Sequence, residues 1–268
     1  MRFLKRNDAG EFSLTKDLVS DDMIPRYAIL SHTWGVDTEE VSFKDMIDDT
    51  GTSKPGYDKI RFCGEQARRD DLQYFWIDTC CIDKSSSNEL QEAINSMFLW
   101  YHNAAKCYVY LSDVSRPALG ADGKPSQPWE SSFRKSRWFT RGWTLQELVS
   151  PALVEFFSKE GEQLGNKRSL ERHIHEVTGI PVKALRGSPL SDFSVPERMS
   201  WAETRDTTRK EDKVYSLLGI FDVHMPLIYG EGREKAFRRL REEIDRASNG
   251  KLLPIILGRR YTAMSGRH

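Results

Sequence analysis

The stretch Tyr27-Ala28-Ile29-Leu30-Ser31-His32-Thr33-Trp34-Gly35 decides the fold. Its first five residues form a short apolar run that ends in a polar turn. That is the pattern of a strand buried on both faces, as in the middle of a parallel sheet. Working outward, an acidic segment around Asp37 to Asp49 precedes Gly56-Tyr57. Ile60, Cys63, Gly64 and Ala67 then recur at helical spacing, which predicts a helix from about Tyr57 to Asp71. Tyr74-Phe75-Trp76-Ile77-Asp78 reads as a second apolar strand ending in a carboxylate. The run Ser85-Ser86-Ser87-Asn88 supplies an N-cap for a helix striped by Leu90, Ala93, Ile94, Met97, Phe98 and Tyr101 and ending near Ala105. Cys107 to Leu111 is a third strand. A Pro/Gly/Ser-rich loop from Ser115 to Trp129 leads to a Trp-rich helix closed by Pro151, and Leu153 to Phe157 makes a fourth strand. Strand and helix thus alternate through the first 160 residues. The alternation predicts an α/β fold, a mostly parallel sheet flanked by helices, with a ligand crevice at the carboxyl ends of the strands. Ser31, Trp34, Asp78 and Asp113 lie at those ends.

Upstream, the charged residues before about 25 read as a hairpin or an arm. Downstream, helical segments are expected over 169–177, 195–205, 211–220 and 232–247, forming a C-terminal helical annex. A short apolar run, Leu252 to Leu257, and a basic tail follow, with the character of a linker. No internal repeat is present.

Composition excludes several classes of function. The chain has 268 residues, 40 basic and 40 acidic, so it has no general attraction for nucleic acid or an anionic membrane. No apolar run is long enough to span a bilayer, and the start lacks the apolar core of a secretory signal. The four cysteines, at 63, 80, 81 and 107, are sparse and read as buried reduced thiols, which places the protein in the cytoplasm. No His and Cys spacing suits zinc, so no metal is expected. Glycine-rich phosphate loops of the GxGxxG and GxxxxGK[ST] types are absent, and so is GxSxG. His32 follows Ser31, but neighbours on a strand point to opposite faces, which argues against a Ser–His couple. His173 and His175, two apart on a helix, read as surface residues.

The chemistry concentrates in Arg137-Trp138-Phe139-Thr140-Arg141-Gly142-Trp143-Thr144-Leu145-Gln146-Glu147-Leu148. Trp143 and Glu147, four apart, share a helix face. Indoles offer stacking planes, guanidiniums grip phosphate bidentately, and a carboxylate can face a developing cation. The plainer reading is an amphipathic helix with core tryptophans and solvated Arg and Glu. The segment from Arg198 to Asp212 has the same two readings: a salt-bridged turn, or a source of phosphate-binding arginines such as Arg209.

Several separated blocks then resemble one family. Tyr27 to Gly35, Phe75-Trp76-Ile77-Asp78-Thr79-Cys80-Cys81-Ile82-Asp83-Lys84, the helix with Met97, Trp100-Tyr101 and Ala104-Ala105, Arg137 to Leu148, Arg209 to Gly219 and Ile228-Tyr229-Gly230-Glu231-Gly232 together are similar to the HET domain of fungal heterokaryon (vegetative) incompatibility proteins. The resemblance covers about residues 26 to 246. It implies an N-terminal arm (1–25), a HET domain (26–248) made of an α/β core (26–160) and the annex (161–248), and a linker (249–268). It also implies a cell-death effector module that precedes a NACHT nucleotide-binding module and WD40 repeats in the same chain. The family is a distant relative of TIR domains, flavodoxin-like signalling folds, many of which cleave NAD+. Arg141 to Leu148 resembles the TIR segment whose Glu is catalytic, so the resemblance implies Glu147 as catalytic residue and NAD+ as substrate, with no further cofactor. The loop Thr79 to Lys84 and the annex depart from the TIR pattern.

The implied reaction is opening of the nicotinamide–ribose bond in a self-associated state. Ser31, Trp34, Asp78, Arg137, Trp138, Arg141, Trp143 and Arg209 are then the expected substrate-binding residues, with an indole stacking on a ring and arginines on phosphate. The leaving group is already cationic, so one carboxylate facing the oxocarbenium-like ribose suffices. The alternative is a non-catalytic self-associating signalling adaptor, for which the face Glu89, Glu92, Asn95 and Leu99 and the charged last helix offer a surface.

Overall fold

The computed structural model describes residues 1–7, 10–18, 23–116 and 129–258, and of 249–258 the backbone alone. Most of the Pro/Gly/Ser-rich loop and the basic tail lie outside the described residues.

A seven-stranded sheet in the order β2-β1-β4-β3-β5-β6-β7 organises the chain. The strands are β1 (Leu4–Arg6), β2 (Phe12–Leu14), β3 (Tyr27–His32), β4 (Tyr74–Trp76), β5 (Lys106–Tyr110), β6 (Val154–Phe157) and β7 (Gln163–Asn166). The four central strands, β4, β3, β5 and β6, are parallel, as the alternation predicts. Every residue of β3 is buried, which is why that strand lacks polar alternation. The chain steps from β3 to β4 on one side, then crosses back to β5 on the other. The strand order thus reverses between β3 and β5. Both sheet edges are antiparallel and went unread in the sequence as parts of the sheet. The N-terminal hairpin β1/β2 pairs with β4, and buried Phe3 packs its ring 4.8 Å from Tyr27. Of the two readings of the N-terminal residues, hairpin or arm, the hairpin is the one that forms. β7 pairs antiparallel with β6.

The helices are α1 (Phe43–Ile47), α2 (Tyr57–Arg69), α3 (Ser87–Asn103), α4 (Trp129–Arg134), α5 (Thr144–Val149), α6 (Glu171–Thr178), α7 (Val182–Leu185), α8 (Val195–Ser200), α9 (Asp212–Tyr215), α10 (Leu218–Phe221) and α11 (Arg233–Gly258). Helix α2 buries Ile60, Cys63 and Ala67 on one sheet face, where Phe62 lies 5.0 Å from Tyr110 and 5.1 Å from Phe157. Helices α3 and α5 meet each other, and α5 rests on the opposite face of β3. Ser86 caps α3 through its side chain, and Ala93, Ile94, Met97 and Tyr101 form the buried stripe. Three of the four C-terminal segments are shorter or divided relative to the periodicity, and α11 runs on past residue 248 to Gly258. All four cysteines are buried and free, with Cys80 and Cys81 in a turn after β4 rather than in a strand. Among the described residues no helix is long and apolar enough to cross a membrane, and no group of three His, Cys, Asp or Glu is placed to hold a metal.

Candidate functional site

The predicted Trp-rich helix is broken in two. A 3-10 turn, Arg137–Thr140, is followed by extended backbone at Arg141, and α5 begins only at Thr144. The break is tertiary in origin. Arg141 forms a parallel bridge with Asp206, the Asp206 amide donates to Thr140 O (2.6 Å), and the Gly142 amide donates to Asp206 O (2.8 Å). Gly142 is required because a Cβ there would overlap Thr207. Arg205, buried beside this bridge, donates from Nη1 to Arg141 O (2.9 Å) and Thr144 Oγ1 (2.8 Å), and from Nε to Trp201 O (3.2 Å). The C-terminal region thereby fixes the start of α5.

Helix α5 is not amphipathic, since all six of its residues are buried. Glu147 is 6% exposed and takes a hydrogen bond from Ser31 Oγ, which itself accepts from Trp138 Nε1 (2.7 Å). Burial, aided by the charge of Asp78, pushes the Glu147 carboxyl up to about 8, against the Ser31 bond and the charges of Arg205 and Arg141.

A cavity of about 320 Å³ opens over this carboxyl, between the ends of β3 and β4, α3, α5 and the C-terminal region. Glu147, Trp34, Asp78, Arg141, Trp143 and Arg209, six of the sequence-predicted residues, line it. Trp34 sits on a loop held by Lys59, which donates to Thr33 O (3.2 Å) and pairs with buried Glu40, while the Gly35 amide donates to Glu40 (2.6 Å). Asp78 accepts from Trp34 Nε1 (2.9 Å) and contacts His32 Nε2 (3.1 Å). Burial opposes its ionisation, but His32, the Lys84 charge and Trp34 outweigh it and hold the carboxyl at about 2. The Lys84 ammonium lies 3.8 Å above the Trp34 ring centre.

Three predicted residues stand elsewhere. Ser31 is fully buried and acts on Glu147 rather than on the cavity. Trp138 is a core residue, edge-on to Phe139 and Phe156, so its ring is not a stacking plane. Arg137, its side chain 64% exposed, turns to Asp113, whose carboxylate also takes the Arg137 amide (2.8 Å). The 3-10 turn separates these neighbours in sequence from Arg141 and Trp143.

The sequence reading missed His32, Lys84, Asp212 and Tyr229, which also line the cavity. Tyr229 donates to Asp212 Oδ1 (2.9 Å), and the Arg209 guanidinium lies 4.3 Å from the Tyr229 ring centre. Burial pushes the Asp212 carboxyl up, against the Tyr229 bond and the Arg209 charge. Tyr229 is placed by its loop: Glu211 Oε1 accepts from the amides of Gly230 (3.1 Å) and Gly232 (2.9 Å), both at positive φ that glycine supplies without strain. The signal for this was present in the Ile228 to Gly232 block, whose two glycines mark a backbone bent for a purpose.

Residues 27–126 match the family model described as heterokaryon incompatibility protein (HET). Over 244 residues, 91% of this chain, the sequence is 66% identical to the vegetative incompatibility protein HET-E-1 of Podospora anserina. The chain spans only 18% of that relative's length. No solved structure matches it.

Proposed function

We propose that this chain, which belongs to the heterokaryon incompatibility (HET) family, is a cell-death effector module that hydrolyses NAD+ at the nicotinamide–ribose bond, with Glu147 as the catalytic residue. The observation that carries the proposal is one buried carboxyl facing a cavity lined by Trp34, Trp143, Arg141 and Arg209. The order of the four parallel strands is that of a flavodoxin-like sheet, which supports a distant TIR relationship. The cavity is near the lower end of ligand-site volumes, roughly 300–1,000 Å³. It suits the nicotinamide–ribose half of the dinucleotide, with phosphate at Arg141 and Arg209. As the C1′–N bond opens, its electron pair passes to the pyridinium nitrogen, and ionised Glu147 faces the positive ribose. Arrival of the pyridinium cation lowers the pKa of Glu147 and favours that ionised form.

The relative's greater length supports further modules beyond this segment, which the family resemblance makes NACHT and WD40, and its name supports a place in vegetative incompatibility. We assign the domain to the cytoplasm and its activity to a self-associated state. The test is release of nicotinamide from NAD+ by concentrated protein, at a specific rate that rises with protein concentration. Glu147→Gln should lower it about 10²–10³-fold while leaving the fold intact; full activity in that variant refutes the assignment. Exposed Leu99 on α3 favours the non-catalytic adaptor reading. Of the other residues on that face, however, Glu89 is engaged by Arg2 and the Asp83 amide, and Asn95 by Met225.

A further inference from the structure

Arg209 is exposed at the cavity, and two acids of α9 and its start, Glu211 and Asp212, feel its charge. Neither forms an ion pair with it among the described residues. One short loop takes both acids instead. The amides of Gly230 and Gly232 donate to Glu211 Oε1, and the Tyr229 hydroxyl donates to Asp212 Oδ1 (2.9 Å). The Arg209 guanidinium lies over the ring of that same tyrosine, 4.3 Å from its centre. A ring face supports a guanidinium without using any of its N–H donors, so the whole fork is left for a ligand. The loop is itself held from both sides. The Ile228 amide donates to the Tyr215 hydroxyl (2.8 Å), the Tyr215 ring meets the Tyr229 ring edge-on at 5.5 Å, and Arg239 of α11 donates to Glu231 and Pro226 O. Arg141 lines the same cavity, its backbone fixed by Asp206 and Arg205, and it too has no acid paired with it among the described residues. Two guanidiniums kept from acids on one cavity match the two charges of a diphosphate.

We propose that Tyr229 is a positioning residue, which holds Arg209 apart from Asp212 so that Arg209 and Arg141 select nucleotides joined through a diphosphate. The proposal deepens the NAD+ reading above and rests on its placement of the phosphates, but its test needs no turnover. Tyr229 acts through Arg209 and touches no reacting atom. Without the ring, Arg209 loses its support and Asp212 loses its hydroxyl partner, and the two are free to pair with each other.

The probe is ADP-ribose, which carries the diphosphate and lacks the bond to be cleaved, titrated into purified protein by calorimetry. Arg209→Ala should weaken its binding about 30-fold, the loss of charge-assisted bonds to phosphate. Tyr229→Leu should weaken it about five-fold, and Tyr229→Phe, which keeps the ring, by about two-fold or less. The Tyr229→Leu/Arg209→Ala protein should bind about as weakly as Arg209→Ala alone, because the tyrosine has then nothing to position. Losses that multiply in the double variant overturn the positioning role, as does a Tyr229→Phe loss equal to that of Tyr229→Leu. An equal loss for adenosine, which has no phosphate, overturns the diphosphate assignment. Melting temperatures show which variants are folded, and if Tyr229→Leu is not, Tyr229→Met takes its place in the same cycle. Nicotinamide release from NAD+ by the wild type is read separately. This binding pattern in a protein that releases none would remove the hydrolase reading and leave the selection of diphosphates standing, whereas release without the pattern would do the reverse.

Discussion

Replacing Glu147 by Gln should stabilise this protein, by an amount set by pH. Glu147 is held neutral by burial, its carboxyl raised from 4.5 to about 8. Between those values the unfolded chain has released a proton that the native protein keeps. Native stability is therefore unaffected by this group below pH 4.5 and declines as pH rises towards 8. At 1.36 kcal/mol per pH unit, the penalty reaches about 4 kcal/mol at pH 7.5. Solvent screening needs no large discount, because the residue is 6% exposed. Gln has the shape of the protonated acid and no proton to lose. The two proteins should melt together near pH 4.5 and separate by roughly 8 °C at pH 7.5, the variant being the more stable. Other carboxylates, such as Asp78 and Glu160, titrate alike in both and cancel in the difference. Melting curves followed by near-UV circular dichroism across pH 4.5–8.5 give the comparison. Parallel Tm–pH profiles would show that Glu147 is not buried neutral, and the account of the site would fall with that premise.

Asp78→Asn should act in the opposite sense. Its carboxyl is held at about 2 against an ordinary 3.8, so it contributes about 2 kcal/mol above pH 4, lost as pH falls through 2; urea midpoints at pH 7 and pH 2 should differ accordingly. Gly219→Ala drives a Cβ into Phe98 where α10 meets α3, and should cost about 3 kcal/mol by urea unfolding, with loss of hydrogen-exchange protection in α10. Arg205→Lys retains charge but cannot serve Arg141 O, Thr144 Oγ1 and Trp201 O together, and should cost about 3 kcal/mol in the same assay.

What was legible in the sequence is what local periodicity specifies. Strands β3, β4, β5 and β6 and helices α2 and α3 appear because each writes its own burial pattern into a few consecutive residues. What was not legible depends on pairing across the chain. A hairpin was one of two readings for the N-terminal residues, but its place beside β4, like the strand β7 beside β6, is marked by no local pattern in segments of three or four residues. The break at Arg141 is caused by Asp206, more than sixty residues away. Trp138 and Trp143 looked alike in sequence, yet the turn between them sends one into the core and the other to the cavity. The Ser31–His32 argument was sound as far as it went. The two residues do face apart, but each finds its own carboxylate, a fact that strand alternation alone does not reveal.

The two carboxyls that bracket β3 illustrate how environment divides similar groups. Asp78 has a hydrogen bond from indole, another from imidazole and a nearby ammonium, and is ionised at any physiological pH. Glu147 receives one hydroxyl bond, lies deeper, feels the charge of Asp78, and retains its proton. Such a separation on the pH scale is what the proposed reaction would use, with one carboxyl permanently charged and the other neutral at rest. On the proposed reaction, the permanent charge of Asp78 holds Trp34 at the cavity before any ligand arrives. The conditional charge of Glu147 develops only when a cation enters the cavity. An ionised Glu147 at rest would place in the interior a charge that the Ser31 bond and the Arg205 and Arg141 guanidiniums do not outweigh against burial. A cationic substrate removes that opposition at the moment it binds, so the site becomes fully charged only in the complex that reacts.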